Sequence, residues 1–249
     1  MSPDRSTRLP AQAENPIAPV RFLWRAWLPA LLGVLVAAVV FATLAGDVWV
    51  QEVFPWDAPL MLAVHRHSAP WLDLVMLGVT QLGTYGAAAG ALGVSFSLWR
   101  RRAWWRFWAL WASFGGGVLL NTALKLLFAR PRPEVFPPLT LERSYSFPSG
   151  HTLAATTFYG FIGLLLWERG HRLSALLVML AIPLVAFSRI YLGVHYPSDV
   201  LGALGLGIVW LTAVWFLYRW RQSTPGAGRR GQNGGGRPTD VGRNGEGQE

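Results

Sequence analysis

The sequence contains no cysteine. That absence rules out a disulfide framework, a thiolate metal site and a thiol nucleophile, and it removes redox chemistry as a guide to compartment. Lysine is nearly missing too: 21 of the 22 basic residues are arginine, and the one lysine is Lys125. Charged residues of all kinds make up only 14% of the 249 residues, where a soluble domain carries roughly a quarter. No internal repeat and no glycine-rich nucleotide loop is found. Hydrophobic residues, by contrast, reach 52%, which points to a membrane protein. The formal charge of +9 would suit nucleic acid only if the basic residues were gathered on a water-facing surface. They fall instead in short gaps between apolar runs, the pattern of cytoplasmic loops, so no nucleic-acid partner is expected.

A helix needs about 20 mostly apolar residues to cross the hydrocarbon core. Six stretches meet that template: Trp27 to Gly46, Leu74 to Trp99, Trp104 to Phe128, His151 to Trp167, Leu173 to Ile190 and Ser198 to Trp220. The prediction is therefore an all-α membrane protein of about six transmembrane helices, with the last four spans the clearest. Gly86 and Gly90 give the second stretch a small-xxx-small spacing that suits close helix packing. The first stretch has a long polar lead and an apolar run beyond the usual signal-peptide core, so it is read as an uncleaved anchor. Between the first two spans, Leu60 to Val64 is predicted as an interfacial helix. Several of the 14 tryptophans lie near span ends (Trp99, Trp104, Trp105, Trp167, Trp220), as interfacial anchors do.

Sixteen arginines lie in the N-terminal tail, the loop Arg100 to Arg106, the loop Arg169 to Arg172 and the C-terminal end from Arg219 onward. Retention of positive loops inside places both termini in the cytoplasm, in keeping with an even number of spans. The chain then divides into a cytoplasmic tail 1–26, two spans with an outer loop 27–103, a four-span core 104–220 and a tail 221–249. That last segment has too few apolar residues to offset ordering entropy and is expected to be disordered.

Three polar clusters interrupt the hydrophobic pattern, all at span ends on the non-cytoplasmic side. They are Lys125-Leu-Leu-Phe-Ala-Arg-Pro-Arg132-Pro133, Pro148-Ser149-Gly150-His151, and Ser188-Arg189-Ile-Tyr-Leu-Gly-Val-His195-Tyr-Pro-Ser-Asp199. Two arginines and a lysine are cations suited to phosphoryl oxygens, arginine as a planar fork and lysine as a point charge. Pro148-Ser149-Gly150 before an apolar run reads as a helix start, whose amides would face the anion while Ser149 caps the helix or donates to the ligand. Asp199, four residues after His195 and just beyond Pro197, can reach one imidazole nitrogen and leave the other free. Two histidines at one phosphate permit two roles: His195 attacks phosphorus, and His151 protonates the leaving oxygen and then activates water. The cations would stabilise charge in the transition state. No metal or other cofactor is called for, since the clusters lack the carboxylate density of a magnesium site.

These clusters resemble the three signature motifs of the type 2 phosphatidic acid phosphatase (PAP2) superfamily, which also includes glucose-6-phosphatases and vanadium-dependent haloperoxidases. Eleven prescribed residues match: Lys125, Arg132, Pro133, Pro148 to His151, Ser188, Arg189, His195 and Asp199. At average residue usage a chance match is on the order of 10^-8. The resemblance covers about 104–220 and implies a PAP2-type helical bundle, and the arginine distribution puts its active site on the non-cytoplasmic side of the plasma membrane. It also implies phosphate binding by Lys125, Arg132, Ser149, Gly150 and Arg189, with His195 as nucleophile, His151 as acid and Asp199 as the partner of His195. The implied substrate is a lipid phosphate or pyrophosphate, of the phosphatidic acid, phosphatidylglycerol phosphate or undecaprenyl pyrophosphate type. The rival readings are a lipid phosphotransferase using the same residues, a non-catalytic lipid transporter on the same scaffold, and a haloperoxidase. The last is disfavoured by motifs that sit between membrane spans.

Outside the motifs, His65, Arg66 and His67 read as a solvated or headgroup-facing loop rather than a metal site. His171 receives no role. Glu142, Arg143 and Tyr145 lie near the expected active loop as candidate substrate contacts.

Overall fold

The computed structural model describes residues 20–52 and 54–223, with backbone alone for 20–27. Among these residues every regular element is helical. The N-terminal tail up to residue 19 and the tail beyond residue 223 lie outside the described residues; among the described residues, helix begins at Val20 rather than Trp27 and extends to Ser223, three residues past the expected start of the C-terminal tail.

Helix α1 runs Val20–Trp49, and α2, Asp57–His65, occupies the place of the expected interfacial helix. The second expected span is α3 (Pro70–Gln81) and α4 (Ala87–Arg100), joined by a π-helical turn at Leu82–Gly86. Helices α5 (Trp104–Phe128) and α6 (Gly150–Glu168) follow. The fifth stretch divides into α7 (Arg172–Met179) and α8 (Ala181–Tyr191). Pro183 explains that break, because it has no N–H to give and its ring crowds the carbonyl four residues back. Pro197 then opens α9, Pro197–Ser223.

Among the described residues, four helical stretches have the length and apolar character to cross a membrane: Leu28–Trp49, Trp104–Phe128, Arg172–Tyr191 and Pro197–Ser223. α6 is not among them, although its sequence read as one of the clear spans. It packs against α5, α7, α8 and α9 and buries Thr152, Thr156 and Thr157, whose hydroxyls are satisfied within the helix by the carbonyls of Thr152, Leu153 and Ala154 or by Ser149. A helix walled in by other helices has no need of a lipid-facing surface. The outer helices do have one: Leu28, Leu31, Leu32, Leu35, Val36 and Val39 of α1 are all exposed, an apolar face suited to hydrocarbon.

Small residues let α6 be surrounded so closely. A Cβ on Gly90 would stand 2.6 Å from the Phe158 ring, one on Gly86 3.0 Å from Tyr159, and one on Gly117 2.9 Å from Thr157. The Gly86/Gly90 spacing thus serves packing against α6. The π turn has a more local consequence, since a Cβ on Gly83 would meet His151 at 3.0 Å and Val185 at 2.7 Å. Gly83 therefore makes the notch in which the first turn of α6 sits, and π-bulges frequently mark such functional positions. Because successive long helices run up and down, the C-terminal ends of α5 and α8 and the N-terminal ends of α6 and α9 meet at one end of the bundle.

Candidate active site

The last turn of α5 delivers Lys125, and the helix stops at Ala129, which adopts a left-handed conformation (φ 45°) and returns its N–H to the Lys125 carbonyl. The chain then turns into Arg130-Pro131-Arg132-Pro133. Lys125 Nζ, buried, donates to Ser144 Oγ at 3.1 Å and to the Tyr145 carbonyl. Arg132 donates through Nε to the Ser144 carbonyl at 2.6 Å and through Nη1 to the Val194 carbonyl at 2.7 Å. Arg189, at the end of α8 and 1% exposed, donates through Nη1 to Thr80 Oγ1 of α3 at 2.6 Å and through Nη2 to Glu142. Its Nε is buried and has no partner among the described residues.

Ser149 takes the N-cap position of α6 with extended backbone angles, yet its side chain makes no cap bond to the helix backbone. Its hydroxyl pairs with Thr152 Oγ1 at 3.0 Å, so the expected capping contact is replaced by a side-chain one. The Ser149 N–H is tied to the Asp199 carbonyl at 3.2 Å, which fixes the start of α6 against α9. The next amides, starting with Gly150 and His151, have no acceptor within the helix and stand at its positive end. A Cβ on Gly150 would meet Asn121 Oδ1 at 2.9 Å.

His195 lies in the short connection between α8 and α9 and is 1% exposed. Its Nδ1 is 3.4 Å from Ser146 Oγ and 3.5 Å from Asp199 Oδ2. Asp199 thus faces the expected imidazole nitrogen, but at long range and together with Ser146, whose hydroxyl donates to the same carboxylate oxygen. Asp199 Oδ2 also accepts the Tyr196 N–H at 2.9 Å, and Oδ1 accepts from Arg130. Burial, followed by the nearby Arg189, Arg132, Lys125 and His151, pushes the His195 imidazole well below the ordinary histidine pKa. The ring is therefore neutral at pH 7, the form a nucleophile requires.

Lys125, Arg132, Gly150, His151 and His195 line one cavity of ≈ 800 Å³ together with Glu142, Arg143 and Tyr145. Arg189 reaches it through Glu142, while Ser149 and Asp199 stay behind its wall. The cavity continues between α4 and α5 past Tyr85, Ala88, Phe114, Val118 and Leu126. Val118 and Leu126 are exposed on the outside of the bundle, so the polar end and the lipid-facing surface are continuous.

Sequence reasoning missed Asp57, Thr80, Asn121, Arg130 and Ser146. Arg130 stood inside a motif string without a role, and the others lie in stretches with no motif at all. His65 is also placed differently from expectation: it stacks on Phe136 with ring centroids 3.9 Å apart, and only Arg66 and His67 face outward. Among the described residues there is no group of three His, Cys, Asp or Glu side chains arranged to hold a metal.

A family model for the PAP2 superfamily matches residues 106–223. Phosphatidylglycerophosphatase B of Bacillus subtilis is 35% identical over 178 residues, which cover 68% of this chain and 86% of that one. The chain belongs to the PAP2 superfamily. A second relative, the undecaprenyl-diphosphatase BcrC of Bacillus subtilis, is 31% identical over 156 residues, covering 59% of this chain and 76% of that one. In structure the chain matches the transmembrane PAP2 type phosphatidylglycerolphosphate phosphatase from Bacillus subtilis with a TM-score of 0.68 and 30% identity, over 75% of this chain and 96% of the other. LpxE of Aquifex aeolicus shares the fold, with a TM-score of 0.56 and 24% identity. The chain is thus an integral membrane enzyme of the PAP2 phosphatase type.

Proposed function

We propose that this PAP2 protein hydrolyses a membrane lipid phosphate or pyrophosphate without a metal, through a phosphohistidine on His195. The observation that carries the reading is the single cavity in which Lys125, Arg132, His151 and His195 stand at one end and apolar residues of α4 and α5 at the other. A phosphate held among the cations would leave its acyl or prenyl chain in the groove that opens to lipid beside Val118 and Leu126.

In this reading Lys125, Arg132, Arg189 and the amides of the α6 N-terminus hold the equatorial oxygens, with Ser149 and Gly150 shaping that terminus. Arg189 keeps one buried donor, its Nε, that no described residue engages. His195 Nε2 forms a bond to phosphorus as the bond from phosphorus to the leaving oxygen breaks, and His151 gives that oxygen its proton. Asp199, with Ser146, keeps the Nδ1 proton of His195 in place and stabilises the positive ring. Water then attacks phosphorus, His151 takes its proton, the bond between nitrogen and phosphorus breaks and inorganic phosphate leaves.

The absence of a metal step rests on the chemistry of the donors. The carboxylates of Asp57, Glu142 and Asp199 are each engaged by arginine. The relatives' names favour phosphatidylglycerol phosphate, followed by undecaprenyl pyrophosphate, from the substrates expected of the motifs. Residues 104–220 form the catalytic core, and 27–103 add two further spans and Thr80. The arginine distribution places the tails 1–26 and 221–249 in the cytoplasm and the cavity on the other side, within a six-span protein.

The test is phosphate release by the detergent-solubilised protein from phosphatidylglycerol phosphate, phosphatidic acid and undecaprenyl pyrophosphate in excess EDTA, with His195→Ala in parallel. Release that survives EDTA and is lost in the variant is expected. An equally active variant would overturn the nucleophile assignment, and release abolished by EDTA would overturn the metal-free step. Transfer of phosphate to another lipid without free phosphate would make the protein a phosphotransferase.

A further inference from the structure

Asp57 opens α2, upstream of the family-matched segment 106–223, and is only 3% exposed. Its Oδ1 accepts the Ser198 N–H at 2.9 Å, while Oδ2 accepts from Ser198 Oγ and from Arg130 Nη2, the latter at 3.0 Å. The other guanidinium nitrogen of Arg130, Nη1, donates to Ser198 Oγ at 2.8 Å and to Asp199 Oδ1. Rings on two segments hold the guanidinium in place, with Phe54 5.2 Å and Tyr196 4.4 Å from its carbon. None of Asp57, Arg130, Ser198 or Asp199 lines the cavity.

Two physical consequences follow. Ser198 is the second residue of α9, so its N–H has no acceptor within the helix. Asp57 supplies that acceptor from a distant segment and at the same time places negative charge at the helix's positive end. Asp199 is the next residue, so the hydrogen bonds of Asp57 fix the turn that aims Asp199 at His195. The second consequence is electrostatic. One guanidinium is shared by two buried carboxylates, which leaves one negative charge in excess behind His195, while Lys125, Arg132 and Arg189 stand in front. A ring between them stays neutral at rest, and a positive charge that develops on it during attack is met from behind.

We propose that Asp57 is a positioning residue for His195, acting through Arg130, Ser198 and Asp199 without touching the substrate. The interfacial helix α2 is thereby part of the active site. This assignment rests on His195 being the nucleophile, as proposed above.

The test compares Asp57→Asn, Arg130→Lys and the double variant with the wild type. Asp57→Asn keeps the shape and removes the charge, so kcat should fall about tenfold while KM for the lipid phosphate stays within about twofold. Arg130→Lys cannot bridge both carboxylates and should act alike, and the double variant should be little worse than either single one, since the two act as a unit. A fall in melting temperature with kcat unchanged would reduce Asp57 to a structural cap and overturn the proposal. A second readout is independent of hydrolysis: nitrogen-15 NMR of the His195 ring in micelles, assigned with His195→Gln. Nδ1 should carry the proton in the wild type and lose that preference in Asp57→Asn. Identical ring shifts in the two would overturn the proposal, whereas a wild type that hydrolyses nothing would instead overturn the phosphatase reading.

Discussion

Glu142 sits inside the cationic cluster, its Oε1 hydrogen-bonded to Arg189 Nη2 and its Oε2 3.8 Å from Arg132 Nη2. Its Oε1 is also 3.9 Å from His151 Nε2. Burial works to raise the Glu142 carboxyl, but Arg189, His151 and Arg132 outweigh it and hold the group below the ordinary carboxylate range. It is therefore an anion at neutral pH, bound to the donors that the substrate phosphate would use. A hydrogen bond to a charged group is worth about 1.5–3 kcal/mol, so inorganic phosphate should inhibit Glu142→Gln about tenfold more strongly than the wild type. Equal or weaker inhibition of the variant would show that the carboxylate does not compete.

The electrostatics of His195 give a second expectation. Its pKa is depressed by burial and by the four cationic or titratable neighbours in front of it, so the neutral ring persists into acid beyond the usual histidine value of about 6.5. A nitrogen-15 NMR titration of the substrate-free enzyme should place the His195 midpoint below that value. A midpoint at or above it would mean that the ring is better solvated, or more closely paired with Asp199, than the 3.5 Å separation implies.

Gly150 offers a steric test. A side-chain methyl there would stand 2.9 Å from Asn121 Oδ1, and Asn121 is buried and donates through Nδ2 to the Pro148 carbonyl at 3.1 Å. Gly150→Ala should displace Asn121 and cost about 0.5–1.5 kcal/mol of stability from that hydrogen bond alone. It should also disturb the first turn of α6, where the free amides and His151 are presented, so kcat/KM should fall more than stability does. Removal of the obstructing group in Asn121→Ala/Gly150→Ala should restore part of kcat/KM. If the single variant is as active as the wild type, the α6 terminus is not held as closely as its contacts indicate.

Much of this was legible in the sequence because the motif residues are neighbours along the chain at helix ends. Lys125 and Arg132 flank the stop of α5, and His195 and Asp199 flank the start of α9, so local spacing already places them near one another. What stayed hidden depends on register between distant segments. Asp57 meets Ser198 across 141 positions, and Thr80 meets Arg189 across 109, and no local pattern marks either pairing. The capping role of Ser149 failed for a related reason, since the Thr152 hydroxyl competes for the side chain. His65 looked solvated because its cover, Phe136, comes from the loop between α5 and α6. That the α6 stretch would be enclosed by other helices was also hidden, because apolar content alone does not tell lipid from a shell of helices.

Orientation is the last expectation, and the natural lack of cysteine makes it directly measurable. Leu141 is 91% exposed on the loop beside the cavity, and Ser174 is exposed at the start of α7, at the opposite end of the bundle. The arginine-rich connections lie at the Ser174 end, and short basic loops are retained in the cytoplasm. In intact cells a membrane-impermeant maleimide should therefore label Leu141→Cys, and should label Ser174→Cys only after the membrane is opened. The reverse pattern would put the cavity in the cytoplasm and require the lipid phosphate to be presented from the inner leaflet, with every assignment at the site itself unchanged.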